Sequence, residues 1–180
     1  MPESRHDFGV ARRIEAQSFG RPGRRTFRVF VANAERAASL WMEKEQLAAL
    51  GTHIEGQINR LRAIRYQGGA ATPDPATAYP GEPDLDFRVG QLALGFDERA
   101  GLFLLFAYSV DDEDEDEPTF SCRATPEQFQ ELAAAIARII AAGRPICPLC
   151  GLPIDPDGHA CARANGHLKL PIPPLQAEDE

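Results

Sequence analysis

Two apolar stripes with helical spacing, each placed directly after a group of strand-like segments, constrain the fold of this chain most strongly. The first recurs at steps of three and four residues over positions 47–61, which predicts an amphipathic helix over 43–65. The second follows Thr125-Pro126-Glu127-Gln128, where a Thr N-cap, a Pro at the first helical position and a Gln three residues after the cap indicate a helix start. This helix is expected to end at Gly143. Each helix needs a sheet to cover its apolar face.

Six segments before and between these helices are rich in β-branched and aromatic residues, as strands are. The first is ambiguous, because its middle part alternates weakly and also fits a helix. In the fourth, the apolar positions change phase at Gly90, which predicts a bulge or a bend. The fifth is apolar throughout, as in a strand that is covered on both faces or lies centrally. The segments are Asp7–Ser18, Thr26–Val31, Ser39–Met42, Phe87–Phe96, Leu102–Tyr108 and Thr119–Arg123.

The resulting order is β-β-β-α, a loop, β-β-β-α and a tail. Strands joined by short turns pair antiparallel, so we expect an α+β domain with a two-layer antiparallel β-sheet and two amphipathic helices. This domain is expected to span residues 1–143, with a flexible loop rich in Gly and Pro at 67–84 and an acidic loop at 111–117. A small C-terminal zinc-binding knuckle at 144–167 and a disordered tail at 168–180 are expected to follow it.

Composition indicates a globular protein in the cytoplasm. Of the 180 residues, 43% are apolar, and no apolar run approaches the roughly 20 residues that a membrane span needs, so we expect no membrane contact. The net charge of −8 argues against a generic nucleic-acid binder. However, seven acidic residues are contiguous at 111–117, whereas residues 1–65 hold 12 Lys or Arg against 7 Asp or Glu. The overall acidity therefore does not exclude an anionic partner.

Three of the four cysteines lie close together near the C-terminus. Cys147-Pro148-Leu149-Cys150-Gly151 has the spacing that lets two thiolates reach one zinc ion at about 2.3 Å. Cys161 is the expected third ligand, and His159 is the expected fourth, because it shares a face with Cys161 in a strand-like segment. His167 is the alternative fourth ligand. A redox dithiol is disfavoured because the motif follows a helix and lies beside a third cysteine, and cytoplasmic proteins rarely form disulfides.

Two further groups of residues invite a functional interpretation. Arg24, Arg25 and Arg28 lie beside aromatic positions on the predicted N-terminal sheet and form a candidate surface for an anion or a protein partner. Cys122 ends a strand without a histidine nearby in the sequence, which favours a small buried side chain over a nucleophile.

The sequence resembles a bacterial family catalogued as domain of unknown function 3090. The tail carries the most specific part of the resemblance, because family members keep Cys-x-x-Cys and Gly-His-x-Cys. They often have Tyr where this chain has His167, so the resemblance supports His159 as the fourth ligand. The family is often encoded beside a histidine-phosphatase-like and a kinase-like protein, which implies a shared pathway. The similar stretches are Gly20–Phe27, Leu40–Gln46, Phe87–Gly90 and Gly143–Gly166.

We expect a non-enzymatic binding or adaptor protein with a structural zinc ion and protein partners. The expected metal site has all four protein ligands, whereas a catalytic zinc keeps one position open for water. The sequence also contains no phosphate-binding Gly-rich loop, serine nucleophile elbow or zincin motif. Two alternatives stay open: an enzyme with a cleft near the 67–84 loop, and a nucleic-acid-binding zinc protein that uses the Arg-rich N-terminal sheet face.

Overall fold

The computed structural model describes residues 4–64, 66, 70–112, 117–143, 145, 147–150, 154, 161 and 163. The chain divides into two units, Met1–Ala142 and Gly143–Glu180. Within the described residues, every helix and strand belongs to the first unit. In chain order they are β1 (His6–Val10), β2 (Arg13–Phe19), β3 (Thr26–Ala32), β4 (Ala37–Met42), α1 (Lys44–Ala63), a 3-10 turn (Pro75–Thr77), β5 (Leu85–Asp97), β6 (Leu102–Ser109), β7 (Phe120–Ala124) and α2 (Pro126–Ala141).

Both predicted helices are present, and their starts follow from local sequence. At α2 the Thr125 hydroxyl accepts from the Gln128 backbone N–H at 3.3 Å, and the Gln128 side chain accepts from the Thr125 N–H at 3.0 Å. At α1 the Gln46 side chain accepts from the Glu43 N–H at 2.9 Å. These bonds satisfy N–H groups that have no partner within the first helical turn. The apolar stripes face the core, where the large buried apolar residues of the helices are Leu47, Leu50, Ile54, Ile58, Phe129, Leu132 and Ile136.

The seven strands form one mixed sheet in the order β1-β7-β6-β5-β4-β3-β2. The α+β class is therefore confirmed, but the expected antiparallel pairing holds for only four of the six strand pairs. Two pairs of strands, β1 with β7 and β4 with β5, run parallel. The physical reason is the length of the connections. A short turn joins two strands that run in opposite directions, whereas α1 and the segment after it are long enough for β5 to lie beside β4 and run in the same direction.

Two extended segments bend in the middle, so that each pairs with one neighbouring strand before the bend and with another after it. The first is β1–β2, whose linking residues Ala11 and Arg12 donate their N–H groups to Arg123 at 2.7 Å and Ala32 at 2.9 Å. The predicted helix or strand over 7–18 is thus two strands with a bend. The second is β5, which pairs with β4 before Gly90 and with β6 on both sides of a register shift at that residue. The predicted irregularity at Gly90 is confirmed.

The two halves of the first unit repeat one arrangement: a bent strand, two further strands and a helix. The repeat extends to individual contacts. Asp7 of β1 accepts from Arg123 of its parallel neighbour β7 at 3.0 Å, and Asp86 of β5 accepts from the Trp41 Nε1 of its parallel neighbour β4 at 3.0 Å. Both aspartates lie opposite a serine of that neighbouring strand. The unit therefore has two structurally equivalent halves.

The glutamine at the third position of each helix ties that helix to the bend in the strand of the opposite half. Gln46 Nε2 donates to the carbonyl oxygens of Val89 and Gly90, both at 3.1 Å. Gln128 Nε2 donates to the carbonyl oxygen of Ala11 at 3.0 Å. Each bend exposes carbonyl groups that a regular ladder would satisfy, and the side-chain amide supplies the missing donor.

The described part of the predicted 67–84 loop is attached to the outer side of the β3–β4 hairpin. The Tyr79 N–H donates to Asn33 at 2.7 Å, and the Asp84 N–H donates to Ala37 at 2.9 Å. Tyr79 also packs against a small apolar cluster that includes the buried Phe30 ring. These contacts lead the chain from α1 to the start of β5.

The flanks of the predicted acidic loop meet one cation. Arg5 binds Asp112 at 2.7 Å and Glu117 at 3.2 Å, and these carboxylates raise the pKa of its guanidinium. Residues 113–116 lie outside the described residues, so the centre of the loop stays a sequence-based expectation. Exposed ion pairs of this kind contribute little to stability.

The two helices touch at Gly51 of α1. A Cβ atom at this position would lie 2.9 Å from the Ile136 Cγ2 on α2, closer than side chains normally approach. A Cβ atom at Gly56, one and a half turns further along the exposed side of α1, would meet nothing within 4 Å. The contact between the helices therefore requires glycine at one of these two positions.

We predict opposite effects of the same substitution at these two glycines. Gly56→Ala raises the free energy of unfolding by about 0.5–1 kcal/mol, because alanine has the better helix propensity. Gly51→Ala lowers it by about 1 kcal/mol, because the new methyl group forces the stiff Ile136 side chain away. Urea unfolding followed by circular dichroism measures both. Equal stabilisation by the two substitutions would show that the helices do not meet closely at Gly51.

Candidate metal centre

Three cysteine sulfurs of the second unit lie close together. The Sγ atoms of Cys147, Cys150 and Cys161 are all within 4.8 Å of one another, and those of Cys147 and Cys161 are 3.8 Å apart. No disulfide joins any of the chain's cysteines, all of which are described. A tetrahedral ion with bonds of about 2.3 Å to sulfur holds its sulfur ligands about 3.8 Å apart. The cluster therefore has the donor atoms and the spacing of a metal site.

The turn after Cys147 prepares this thiol for metal binding. Backbone N–H groups of Cys150 and Leu149 donate to its sulfur, and with its contacts to the other two cysteines they lower the pKa of the thiol to about 6. The Cys147 residue is only 5% exposed. Because a metal binds the thiolate, a lowered pKa reduces the competition from protons at neutral pH.

Two further contacts hold the described parts of the second unit together. The Ile154 N–H donates to the Pro145 carbonyl oxygen at 2.7 Å. Arg163 donates from Nη1 to the Leu149 carbonyl oxygen at 2.9 Å, which connects the neighbourhood of Cys161 to the Cys-x-x-Cys turn. Arg163 could not be predicted from the sequence, because an arginine two residues after a ligand has no characteristic spacing. Only the folded turn indicates a role for Arg163, because the Leu149 carbonyl points outward there and needs a hydrogen-bond donor.

The structure brings together the three cysteines that the spacing predicts. His159 and His167, the preferred and the alternative fourth ligand, both lie outside the described residues. The choice between them stays a prediction. The identity of the ion rests likewise on the chemistry of the donor set, because sulfur-rich sites also suit other thiophilic metals.

The three candidate arginines of the N-terminal sheet have different surroundings. Arg24 is exposed in the turn before β3, and its N–H donates to Arg21 at 2.9 Å. Arg25 points to α2, where Nη1 donates to the Ile139 carbonyl oxygen at 3.5 Å, near the negative end of that helix. Arg28 lies on the sheet face that the helices leave uncovered. The structure thus gives Arg25 and Arg28 separate partners.

Arg28 is stacked among aromatic rings. Its guanidinium carbon lies 5.0 Å from the ring centre of Phe19, 5.4 Å from that of Phe30 and 5.3 Å from that of Trp41. It also donates to the Gln17 side chain of the neighbouring strand. These contacts arise because β2, β3 and β4 place these residues side by side on one face. The guanidinium is therefore already engaged by protein groups.

Cys122 is part of the apolar core of the first unit. It is 1% exposed, and burial, together with the nearby carboxylate of Asp7, raises the pKa of its thiol to about 12. The thiolate is the reactive form of cysteine, and at neutral pH a thiol with this pKa is almost entirely protonated. Its position agrees with the expectation of a small buried side chain.

These features define a class of protein: an α+β domain followed by a segment that gathers three cysteines at metal-binding distance. A family model described as "Protein of unknown function (DUF3090)" matches residues 6–161, and the chain belongs to this family. The match confirms the resemblance that the sequence motifs indicate. No curated protein and no solved structure matches the chain. Neither described helix combines the length and hydropathy that a membrane-crossing segment requires.

We predict that Cys122 makes the protein less stable at alkaline pH. The folded state keeps the thiol proton up to about pH 12, whereas the unfolded chain releases it from about pH 9. The free energy of unfolding therefore falls as pH rises between these values, by up to about 1.4 kcal/mol per pH unit. Guanidinium unfolding of the wild type and of Cys122→Ala between pH 8 and 10.5 measures the difference in slope. Identical slopes would show that the thiol is not buried in this way.

Proposed function

We propose that the second unit binds one structural zinc ion. The observation that carries the proposal is the cluster of three sulfur atoms within 4.8 Å of one another, in which the 3.8 Å between Cys147 and Cys161 matches the edge of a zinc-centred tetrahedron. Thiolate ligands favour zinc among the common divalent metals with no redox role. The ion would link the Cys-x-x-Cys turn to the segment around Cys161, in addition to the bond from Arg163 to Leu149.

His159 is the fourth ligand in this proposal. It stands two residues before Cys161, so an extended backbone places both side chains on the same face. The preceding Asp155-Pro156-Asp157-Gly158 sequence is typical of a turn that reverses the chain toward the first cysteine pair. His167, six residues after Cys161, is the alternative. Either histidine completes four protein ligands and leaves no position for a catalytic water.

The proposed role of the whole chain is that of a non-enzymatic binding or adaptor protein. A closed metal shell supports this, because zinc then contributes folding energy rather than Lewis-acid chemistry. The engagement of Arg28 by three aromatic rings and by Gln17 also favours a structural role for this residue over contact with nucleic-acid phosphates. The chain would act through its surfaces.

We predict one zinc ion per chain in the purified protein, measured by atomic emission spectrometry. Cys161→Ser should lose the metal, because it removes one of three clustered sulfurs, and should make the bond after Arg163 sensitive to trypsin. Cys122→Ala is the matched control, since it removes a cysteine outside the cluster and should keep full zinc content. Zinc retained by Cys161→Ser, or lost by Cys122→Ala, would contradict the proposed site.

The fourth ligand is tested by a second pair of substitutions. His159→Ala should lower the zinc affinity by at least tenfold, while His167→Ala should leave it unchanged, as measured by competition with a chromogenic chelator. The reverse result would assign the fourth position to His167. Equal retention by both variants would remove histidine from the site.

The binding role predicts a stoichiometric complex. Tagged wild-type chain expressed in its native host should co-purify with a defined protein that stays bound through size-exclusion chromatography, whereas an enzyme would act without a stable partner. Mass spectrometry of the purified fraction identifies the partner, and reconstitution from separately produced proteins is the control. A metal-dependent turnover by the isolated chain, lost in Cys161→Ser, would contradict the adaptor role.

A further inference from the structure

One edge of the sheet in the first unit has no neighbouring strand among the residues that the structure describes. β5 pairs with β4 only over Leu85–Arg88, and beyond the bulge at Gly90 it pairs with β6 alone among the described strands. The side of residues 91–97 that faces away from β6 is therefore a free edge. Such an edge presents backbone N–H and C=O groups that can hydrogen bond to another extended chain.

A groove runs between this edge and α1. It has a volume of about 490 Å³ and is lined by five consecutive residues of β5, 90–94, which include side chains of both sheet faces. A helix lying flat on the sheet would contact alternate residues, so the groove opens onto the strand edge itself. The lining residues on α1 are Gln46, Ala49, Leu50, His53 and Gln57.

The α1 region contacts β5 near each end of the groove. At one end Gln46 donates to the carbonyl oxygens of Val89 and Gly90. At the other end the Tyr66 hydroxyl donates to the Glu98 carbonyl oxygen at 3.0 Å, and its ring packs edge-on against Phe96 at 5.2 Å. The helix thus approaches β5 at its two ends and leaves space in between.

The equivalent edge in the other half is covered. There α2 packs directly along β2, fixed by the bonds of Gln128 to Ala11 and of Arg25 to Ile139. Residues of β2 near this edge also include the charged pair Arg13 and Glu15, at 2.7 Å. Charged residues discourage strand addition, and a covering helix prevents it. The β5 edge has neither protection over residues 91–96, which are uncharged.

We propose that this groove binds an extended, uncharged peptide segment of a partner protein, which adds a strand to the free edge of β5. The ten lining residues include no Lys, Arg, Asp or Glu, so a segment without these residues is the electrostatic complement. The partly buried Leu92 and Leu94 would receive alternate apolar side chains, and the backbone of β5 would supply the hydrogen bonds.

A second copy of the chain fits the groove less well than an isolated segment. The β5 edge of a second copy lies beside its own α1, so edge-to-edge pairing would bring two helices into the same space. A single extended segment brings no such helix. The groove also lies wholly within the first unit and needs no contribution from the metal-binding residues.

This inference names the binding surface of the adaptor proposed above and rests on that proposal. The probe is a phage-displayed library of random heptapeptides restricted to uncharged residues, selected on the full zinc-loaded chain. The best peptide is then synthesised in two forms, unmodified and with N-methyl groups at alternate residues. Only strand addition needs the backbone N–H groups that methylation removes. Fluorescence anisotropy measures affinity, and amide hydrogen exchange maps the contact.

Two arginine substitutions serve as a matched pair. Ala49→Arg places a long cation in the groove and should weaken binding of the unmodified peptide at least tenfold. Ala137→Arg, at an exposed position of α2 outside the groove, should leave binding unchanged. The N-methylated peptide should not bind, and the unmodified one should slow hydrogen exchange within residues 91–97.

The proposal is overturned if no peptide is enriched, if binding survives N-methylation or Ala49→Arg, or if protection falls elsewhere. Analytical ultracentrifugation of the wild type and of Ala49→Arg, both without peptide, tests the remaining outcome. A wild-type dimer that Ala49→Arg dissociates would assign the groove to a second copy of the chain. Zinc content measured on the same samples separates this result from a failure of the metal site. A chain with full zinc but no peptide binding rejects the groove and leaves the zinc proposal standing.

Discussion

The hydrogen bonds from two glutamine side chains to two bent strands are the constraint on which the rest of the first unit depends. A strand that passes from one part of a sheet to another must interrupt its ladder, and the carbonyl groups at the bend then need donors. Gln46 and Gln128 supply these donors while their own carbonyl oxygens complete the helix caps. One side chain therefore fixes both where a helix begins and where the opposite strand turns.

Local features of this unit could be predicted from the sequence because they depend on neighbouring residues. The stripes over 47–61 and the Thr125 cap indicate where the helices lie, and the phase change at Gly90 marks a bend that the structure contains. The parallel pairs could not be predicted. Whether β1 lies beside β7 is decided by contacts more than a hundred residues apart, and the sequence of β1 fits either direction.

The metal centre shows the same division. The Cys-x-x-Cys turn is a local motif, and its two residues of spacing suffice to predict two ligands. Cys161 joins them because few other residues nearby offer a soft donor, and the structure places its sulfur 3.8 Å from that of Cys147. The fourth position depends on how the chain between the ligands folds, and spacing alone does not distinguish His159 from His167. The role of Arg163 could not be predicted for a related reason, because it depends on the Leu149 carbonyl group, which only the folded turn exposes.

The two halves of the first unit differ in how closely a helix covers the edge of the sheet. The capping glutamines of α1 and α2 stand at equivalent positions, so counting onward along both helices pairs His53 with Ala135 and Gln57 with Ile139. In the second half α2 packs along β2, whereas in the first half α1 contacts β5 less extensively, and His53 and Gln57 line the space between them. The same fold thus closes one edge with its own helix and leaves the other open. An open edge leaves part of the Leu92 and Leu94 side chains accessible to solvent, which costs stability, and a bound strand would bury this remaining surface.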